Sequence, residues 1–262
     1  MISPLANIDP SAKIGKNVTI APFVVIQGDV EIGDDCEIMA YTIIVHGTRI
    51  GKNNKIYSSC VIGADPQDFR WNGEESFCYI GDNNIIREHN IINRGIDPSK
   101  GTRIGNECVI MAQSHIGHDT IMDDYCLIGN GVRIAGDVEI GTCTILSSSV
   151  VVHEGCHIGE WAFVKGGARV NSNVPPYVIV AHNPIEFFGV NAVIMRKYKY
   201  NADEVNVAAR SYRHLYQTRT SVFNALKRIE ADVEPSPIRD NIIKFIRENN
   251  NQLVAIPREM SV

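Results

Sequence analysis

An aliphatic residue, most often isoleucine, returns at every sixth position through most of this chain. It runs unbroken from Ile8 through Ile14, Ile20, Ile26, Ile32, Ile38, Ile44, Ile50 and Ile56 to Ile62. It resumes at Ile80, Ile86 and Ile92, and continues in the same phase from Ile104 to Val170. An amphipathic helix would repeat at about 3.6 residues and a half-buried strand at every second residue. A strict six predicts a parallel β-helix instead. Three short strands with a bend after each make one coil of about 18 residues, every aliphatic pointing at a common axis. Residue i then lies on residue i+18, about 4.8 Å away. Small residues beside the bends (Ala6, Ala12, Val18, Cys36, Cys60) suit the tight corners of such a triangular prism.

In hexapeptide-repeat proteins these coils wind left-handed, against the usual right-handed crossover. The fold class expected is therefore mainly β: a left-handed parallel β-helix over residues 1–188 with a C-terminal α-helical domain over 189–262. The repeat is interrupted twice, at 64–79 and 93–103, and keeps its phase across both. These are inserted loops leaving the prism; a tolerated surface insertion is one reading and a functional loop on a rigid scaffold the other. After Val170 the pattern stops at Asn-Ser-Asn-Val-Pro-Pro-Tyr, and the texture becomes helical near 191–199, 202–217, 219–232 and 236–249. Asn201 or Asp203, Thr220, and Ser236 before Pro237 are the expected helix starts. The last 13 residues read as a loose tail.

A net charge of −5 argues against a nucleic-acid partner. Seven cysteines, an odd number without C-x-x-C spacing, point to reduced thiols and a cytoplasmic location. The opening Met-Ile-Ser-Pro-Leu-Ala-Asn lacks a basic segment followed by an apolar one, so no signal peptide is expected. No apolar run is long enough to predict a transmembrane segment.

Candidate chemistry gathers at Ser114-His115-Ile116-Gly117-His118-Asp119. Ile116 faces the core, which puts His118 past the bend at a corner, with Asp119 beside it to fix the tautomer that a general base needs. Two polar surface histidines would be the plainer reading. The coil length adds a second fact: Gly136 and Glu154 follow His118 at 18-residue steps, with His153 alongside. A glycine one coil from a base leaves its N–H free to stabilise an oxyanion. Base and oxyanion donor together can move an acyl group onto a substrate hydroxyl without a covalent enzyme nucleophile.

The hexads, His-Ile-Gly-His-Asp, Ile-Ala-Gly at 134–136, Pro-Gln-Asp-Phe-Arg, Val-Pro-Pro-Tyr-Val-Ile at 174–179 and Phe-Gly-Val-Asn at 188–191 together resemble one family. It is the acyl-carrier-protein–UDP-N-acetylglucosamine O-acyltransferases. The resemblance implies transfer of a 3-hydroxyacyl chain from acyl carrier protein to the 3-hydroxyl of UDP-N-acetylglucosamine, the first step of lipid A biosynthesis. It also implies a homotrimer with active sites between subunits, and no cofactor beyond the phosphopantetheine of the carrier. By position His118 corresponds to the general base, Asp119 to its orienting partner and Gly136 to the oxyanion donor. His115 and His153 correspond to sugar-nucleotide contacts, and Asp68 to a sugar-binding aspartate. Gly166 falls at the acyl-length selector, where glycine goes with longer chains. Asn191, Arg196 and Lys197 fall in the region that meets the uridine diphosphate and the phosphopantetheine. The chain departs from the family at Arg70 (usually lysine), Asp137 (histidine), Glu154 (glutamine), Val193 (acidic) and Lys197 (arginine). All five are expected to touch substrate contacts and to leave base and oxyanion donor intact. Basic residues near the cap (Lys165, Arg169, Arg196, Lys197, Lys199, Arg210, Arg213) suit docking of an acidic carrier.

The nearest rival on this fold is an N-acyltransferase acting on a sugar nucleotide, a class with an extra N-terminal domain; here the hexads begin by Ile8. An acetyl-CoA-dependent transferase would leave the 64–79 loop unexplained. A zinc hydratase would have to recruit His115, His118, His153 or His157 as ligands, whereas the resemblance assigns no metal. A purely structural prism needs no corner His-Asp pair beside a glycine.

Overall fold

Most hexads close one side of the prism with a two-residue strand whose second member is the aliphatic. In the computed structural model, which describes residues 1–198, 200–218, 220–249 and 252–255, these aliphatics are buried from Ile20 to Val170 and form one continuous core. The first residue of each pair points outward. The strands stack into three parallel sheets, and the coils wind left-handed. The first face runs from Asn7–Ile8 to Arg169–Val170, the second from Lys13–Ile14 to His157–Ile158, and the third from Thr19–Ile20 through Phe163–Val164 to a closing hairpin. Register follows the coil length: His115 lies opposite Arg133, and Arg133 opposite Val151. Across the two interruptions Ile62 pairs with Ile92 and Ile92 with Ile116, so each insertion is absorbed within one coil.

Both insertions leave the prism at the same edge. The first departs after Val61–Ala64 on the first face and re-enters at Cys78–Ile80 on the second; the next departs after Ile91–Asn93 and re-enters at Thr102–Ile104. The following coil carries His118 at that edge. Its bend turns by placing Asp119 in the left-handed region (φ 54°), as Asp137 does one coil later (φ 56°). Aspartate enters this region more readily than most residues because its short polar side chain bonds locally.

The prism runs slightly past the last hexad. Val178–Ala181 pairs with Phe163–Val164 on the third face, and Glu186–Val190 folds back antiparallel to it. Four helices follow: α1 (Ala192–Lys197), α2 (Ala202–Tyr216), α3 (Val222–Asp232) and α4 (Pro237–Asn249). Asn201 caps α2 in a reciprocal box with Glu204, and Ser236 Oγ accepts from Arg239 N at the start of α4. For α3 the cap is Ser221, one residue after the expected Thr220, because its hydroxyl is placed to accept from Asn224 N. A loose tail is not what residues 252–255 form. Val254 is buried, its N–H donates to Asn173 O, and Phe187 N donates to Ala255 O. The apolar anchor and these backbone bonds lay the segment along the end of the prism. Residues 250, 251 and 256–262 of the expected tail, and Lys199 of the basic set, lie outside the described residues.

Candidate active site

The edge that carries both inserted loops has a groove of about 310 Å³, lined among others by Asp68, Asn93, His115, His118, Gly136 and Glu154. His118 is 6% exposed and Asp119 3%. Asp119 Oδ2 lies 2.9 Å from His118 Nδ1. The same carboxylate accepts from Ile96 N (2.8 Å) and Asp97 N (3.2 Å) of the second loop, and Asp119 N donates to Thr102 Oγ1. Burial works to raise the Asp119 carboxyl, but its bond to His118 and the two backbone donors outweigh this and hold it below the ordinary range. An ionised Asp119 makes Nδ1 the protonated nitrogen and leaves the Nε2 lone pair facing the groove. The bond to Asp119 also raises the imidazole above its ordinary value against the effect of burial, helped by the charges of Asp119, Asp137 and Asp68.

Gly136 stands directly under this ring. A Cβ there would lie 2.2 Å from His118 Cε1 and Nε2, so only glycine admits the observed rotamer. The stacking inferred from the coil length is direct: Asp137 N donates to His118 O, and Gly155 N to Gly136 O. Among the described residues the Gly136 N–H has no hydrogen-bond partner. Gly117, one coil earlier, keeps it open, since a Cβ at 117 would come 2.7 Å from that nitrogen.

Asp68 reaches the base from the first loop, its Oδ2 3.4 Å from His118 Nε2. Hydrogen bonds from the Arg70 side chain and backbone hold its carboxyl well below the usual range. Arg70 also bonds Glu154 (2.5 Å) and lies 3.7 Å from Asp137, while Lys100 of the second loop lies 3.4 Å from Asp137. Three of the departures from the family pattern are thus partners in one ion network. His115 Nε2 is 2.7 Å from Asn93 Oδ1. Burial, with Arg133 and His118 nearby, lowers its pKa and keeps the ring neutral.

A sequence profile described as UDP N-acetylglucosamine O-acyltransferase, domain 2, matches residues 173–254, and one described as bacterial transferase hexapeptide matches 11–44, 29–64 and 101–136. The acyl-(acyl-carrier-protein)–UDP-N-acetylglucosamine O-acyltransferase of Stutzerimonas stutzeri is 36% identical over 247 residues, 92% of this chain and 96% of that protein. The chain belongs to this O-acyltransferase family. The crystal structure of a UDP-N-acetylglucosamine acyltransferase from Bacteroides fragilis is 41% identical, covers 98% of this chain and 100% of that one, and superposes with a TM-score of 0.93. One from Francisella novicida is 34% identical, covers 100% and 96% of the two chains, and gives 0.96.

Within the single chain, the residues that the O-acyltransferase resemblance singles out fall into two sets. His118, Asp119, Gly136, Asp68, Arg70, His115 and Glu154 come together at the loop-bearing edge. His153 is exposed beside Glu154, in the column of Gly117 and Ala135. Gly166 is exposed at the edge between the third and first faces. Arg196 and Lys197 are exposed on α1, which sits beside Trp161 at the remaining edge, with the Tyr198 ring tilted against the indole at 5.4 Å between centroids. Asn191 is 2% exposed and donates to Trp161 O, which puts it in the fabric of the cap and not on its surface. Among the described residues no three His, Cys, Asp or Glu side chains are placed to share a metal ion, and no helix is long and apolar enough to cross a membrane. Reading along the sequence missed Asn93, Lys100, Thr102 and the backbone of 96–97. Their only signal was membership of, or adjacency to, the second interruption.

Proposed function

We propose that this protein transfers a 3-hydroxyacyl chain from acyl carrier protein to the 3-hydroxyl of UDP-N-acetylglucosamine, the first step of lipid A biosynthesis. The observation that carries the mechanism is the stack of His118 on Gly136 with Asp119 behind it. His118 Nε2 takes the proton of the acceptor hydroxyl as its oxygen attacks the thioester carbonyl. The Gly136 N–H, which no described protein group occupies, stabilises the tetrahedral oxyanion. Collapse breaks the C–S bond, and the proton on Nε2 passes to the phosphopantetheine sulfur. Asp68 meets the sugar, with Arg70 holding the carboxylate in place. No cofactor takes part.

The working assembly in this proposal is a homotrimer. The first face carries an apolar outward run (Val25, Ile43, Val61, Ile91) between Asn7 and His115, and the third carries one (Ile85, Val109, Leu127, Ile145) after Glu37 and Lys55. The second face shows Lys13, Glu31, Arg49 and Glu139. The edge where the two apolar faces meet carries an exposed Phe23–Tyr41 stack, 5.3 Å between centroids. Packing one copy's first face on another's third face buries both and brings Gly166 or α1 of a neighbour toward a groove that its own protomer keeps it from. Arg196 and Lys197 then serve the nucleotide and the carrier. A cytoplasmic location agrees with seven unpaired cysteines.

Purified protein, run against a panel of 3-hydroxyacyl carriers and UDP-sugars with products weighed by mass spectrometry, should yield a 3-O-acylated UDP-N-acetylglucosamine from a particle of three chains. No product with any carrier, or an N-acylated one, would overturn the reading.

The electrostatics of the base predict a pH dependence. A base acts when neutral, and the His118 pKa is raised above 6.5, so kcat/KM should climb with pH through a limb above 6.5. Asp119→Asn removes the largest raising influence, so the limb should move to lower pH while the plateau falls. An unmoved limb would assign the titration to another group.

A further inference from the structure

We infer that Arg94 is a positioning residue for Asp68, and through it for the acceptor sugar; this rests on the reading of Asp68 as a sugar contact. Arg94 begins the second loop and is 3% exposed, the only arginine or lysine among the buried residues described. Its Nη2 lies 2.7 Å from Asp65 Oδ1, its guanidinium carbon 5.3 Å from the Trp71 ring centroid, and its backbone N–H donates to Ala64 O. Asn93 adds Nδ2 bonds to Ala64 O and Asp65 O. Asp65 and Trp71 bracket the stretch that carries Asp68 and Arg70. The second loop therefore grips the first on both sides of the carboxylate that stands against His118.

Packing alone does not account for an arginine here. Its Nε has no partner, and a buried cation with an unsatisfied N–H destabilises relative to an apolar side chain of similar size. What the guanidinium supplies is a fixed plane and a fork: the plane stacks on Trp71 while one arm holds Asp65. A lysine could keep the ion pair but has no plane to stack. Arg94 does not line the groove, whereas Asp68 does, so its influence on the reaction runs through Asp68.

The test uses Arg94→Met, Arg94→Lys and, because a core change can impair folding, Asp65→Ala, which cuts the same link from a side chain 58% exposed. Arg94→Met and Asp65→Ala should raise the KM for UDP-N-acetylglucosamine on the order of tenfold, within the coupling range of contacting residues. The KM for acyl carrier and the pH limb of His118 should stay in place, and Arg94→Lys should recover part of the loss. In an Asp68→Ala background Arg94→Met should add less than about twofold. A full independent loss in that background, an equal rise in the carrier KM, or a wild-type acceptor KM in Asp65→Ala would overturn the inference. Trp71 emission, isolated in a Trp161→Phe background because the chain has two tryptophans, and tryptic cleavage after Arg70 report the loop without any substrate. Arg94→Met should shift the first to the red and speed the second. If neither changes, the inference fails even where the transferase reading stands; if both change but wild type transfers no acyl group, it is the transferase reading that fails.

Discussion

His118→Ala should fold, assemble as wild type does and lose most of its turnover, by a factor on the order of 10²–10⁴, the usual contribution of one general base. In barrier height that is roughly 3–5 kcal/mol. The ring is held by Asp119 on one side and lies on a backbone with no side chain on the other, so its removal leaves a hole at an edge and does not touch the isoleucine core. The loss should fall on kcat with little change in the KM of either substrate, because the proton moves only as the new bond forms. Steady-state kinetics beside a thermal melt and a mass measurement check this. Turnover within a few-fold of wild type, in a variant of unchanged stability, would remove His118 from the mechanism.

A comparable loss is expected of Gly136→Ala, for a reason that only the geometry supplies. An alanine Cβ would sit 2.2 Å from two atoms of the imidazole. Either the ring swings off Asp119 or the two coils part, and in both cases base and oxyanion donor lose their alignment. The backbone itself poses no obstacle, since Gly136 is absent from the glycines with positive φ. Removing one oxyanion donor alone costs on the order of 10²–10³, and here the base is displaced with it, so turnover should fall at least that far. The two substitutions should be far from additive: His118→Ala/Gly136→Ala should be little worse than either alone, because each disables the same unit. Wild-type activity in Gly136→Ala would mean that the ring does not occupy this position during catalysis.

The departures from the family pattern show where reading along the chain stops. Asp137 and Glu154 look like separate changes to substrate contacts when taken one at a time, and Arg70 like a change of reach. In the folded chain Arg70 bonds Asp68 and Glu154 and approaches Asp137, while Lys100 approaches Asp137 as well. Guanidinium geometry lets one side chain serve carboxylates from a loop and from two coils at once. The partners are distant in sequence (Arg70 and Glu154 are 84 residues apart), and no periodic pattern links a loop to a corner. Asn93 was passed over for the same reason. Its contacts with Ala64, Asp65 and His115 exist only because two insertions leave the prism at one edge in consecutive coils.

What was legible in the sequence is whatever repeats. The six-residue period determined the prism, its buried isoleucines, the positions of both interruptions and the column of His118, Gly136 and Glu154, because a parallel coil of constant length turns sequence distance directly into spatial contact. Helix capping similarly located α2 and α4 from Asn201 and Ser236. Only the tertiary structure decided the rest. It laid Asp68 against the base, joined the two loops through Arg94, and set residues 252–255 along the prism. It also placed Gly166 and α1 at other edges than the groove. Irregular loops have no period, and their conformation is fixed by side-chain bonds and burial that arise only when the coils beneath them are already stacked.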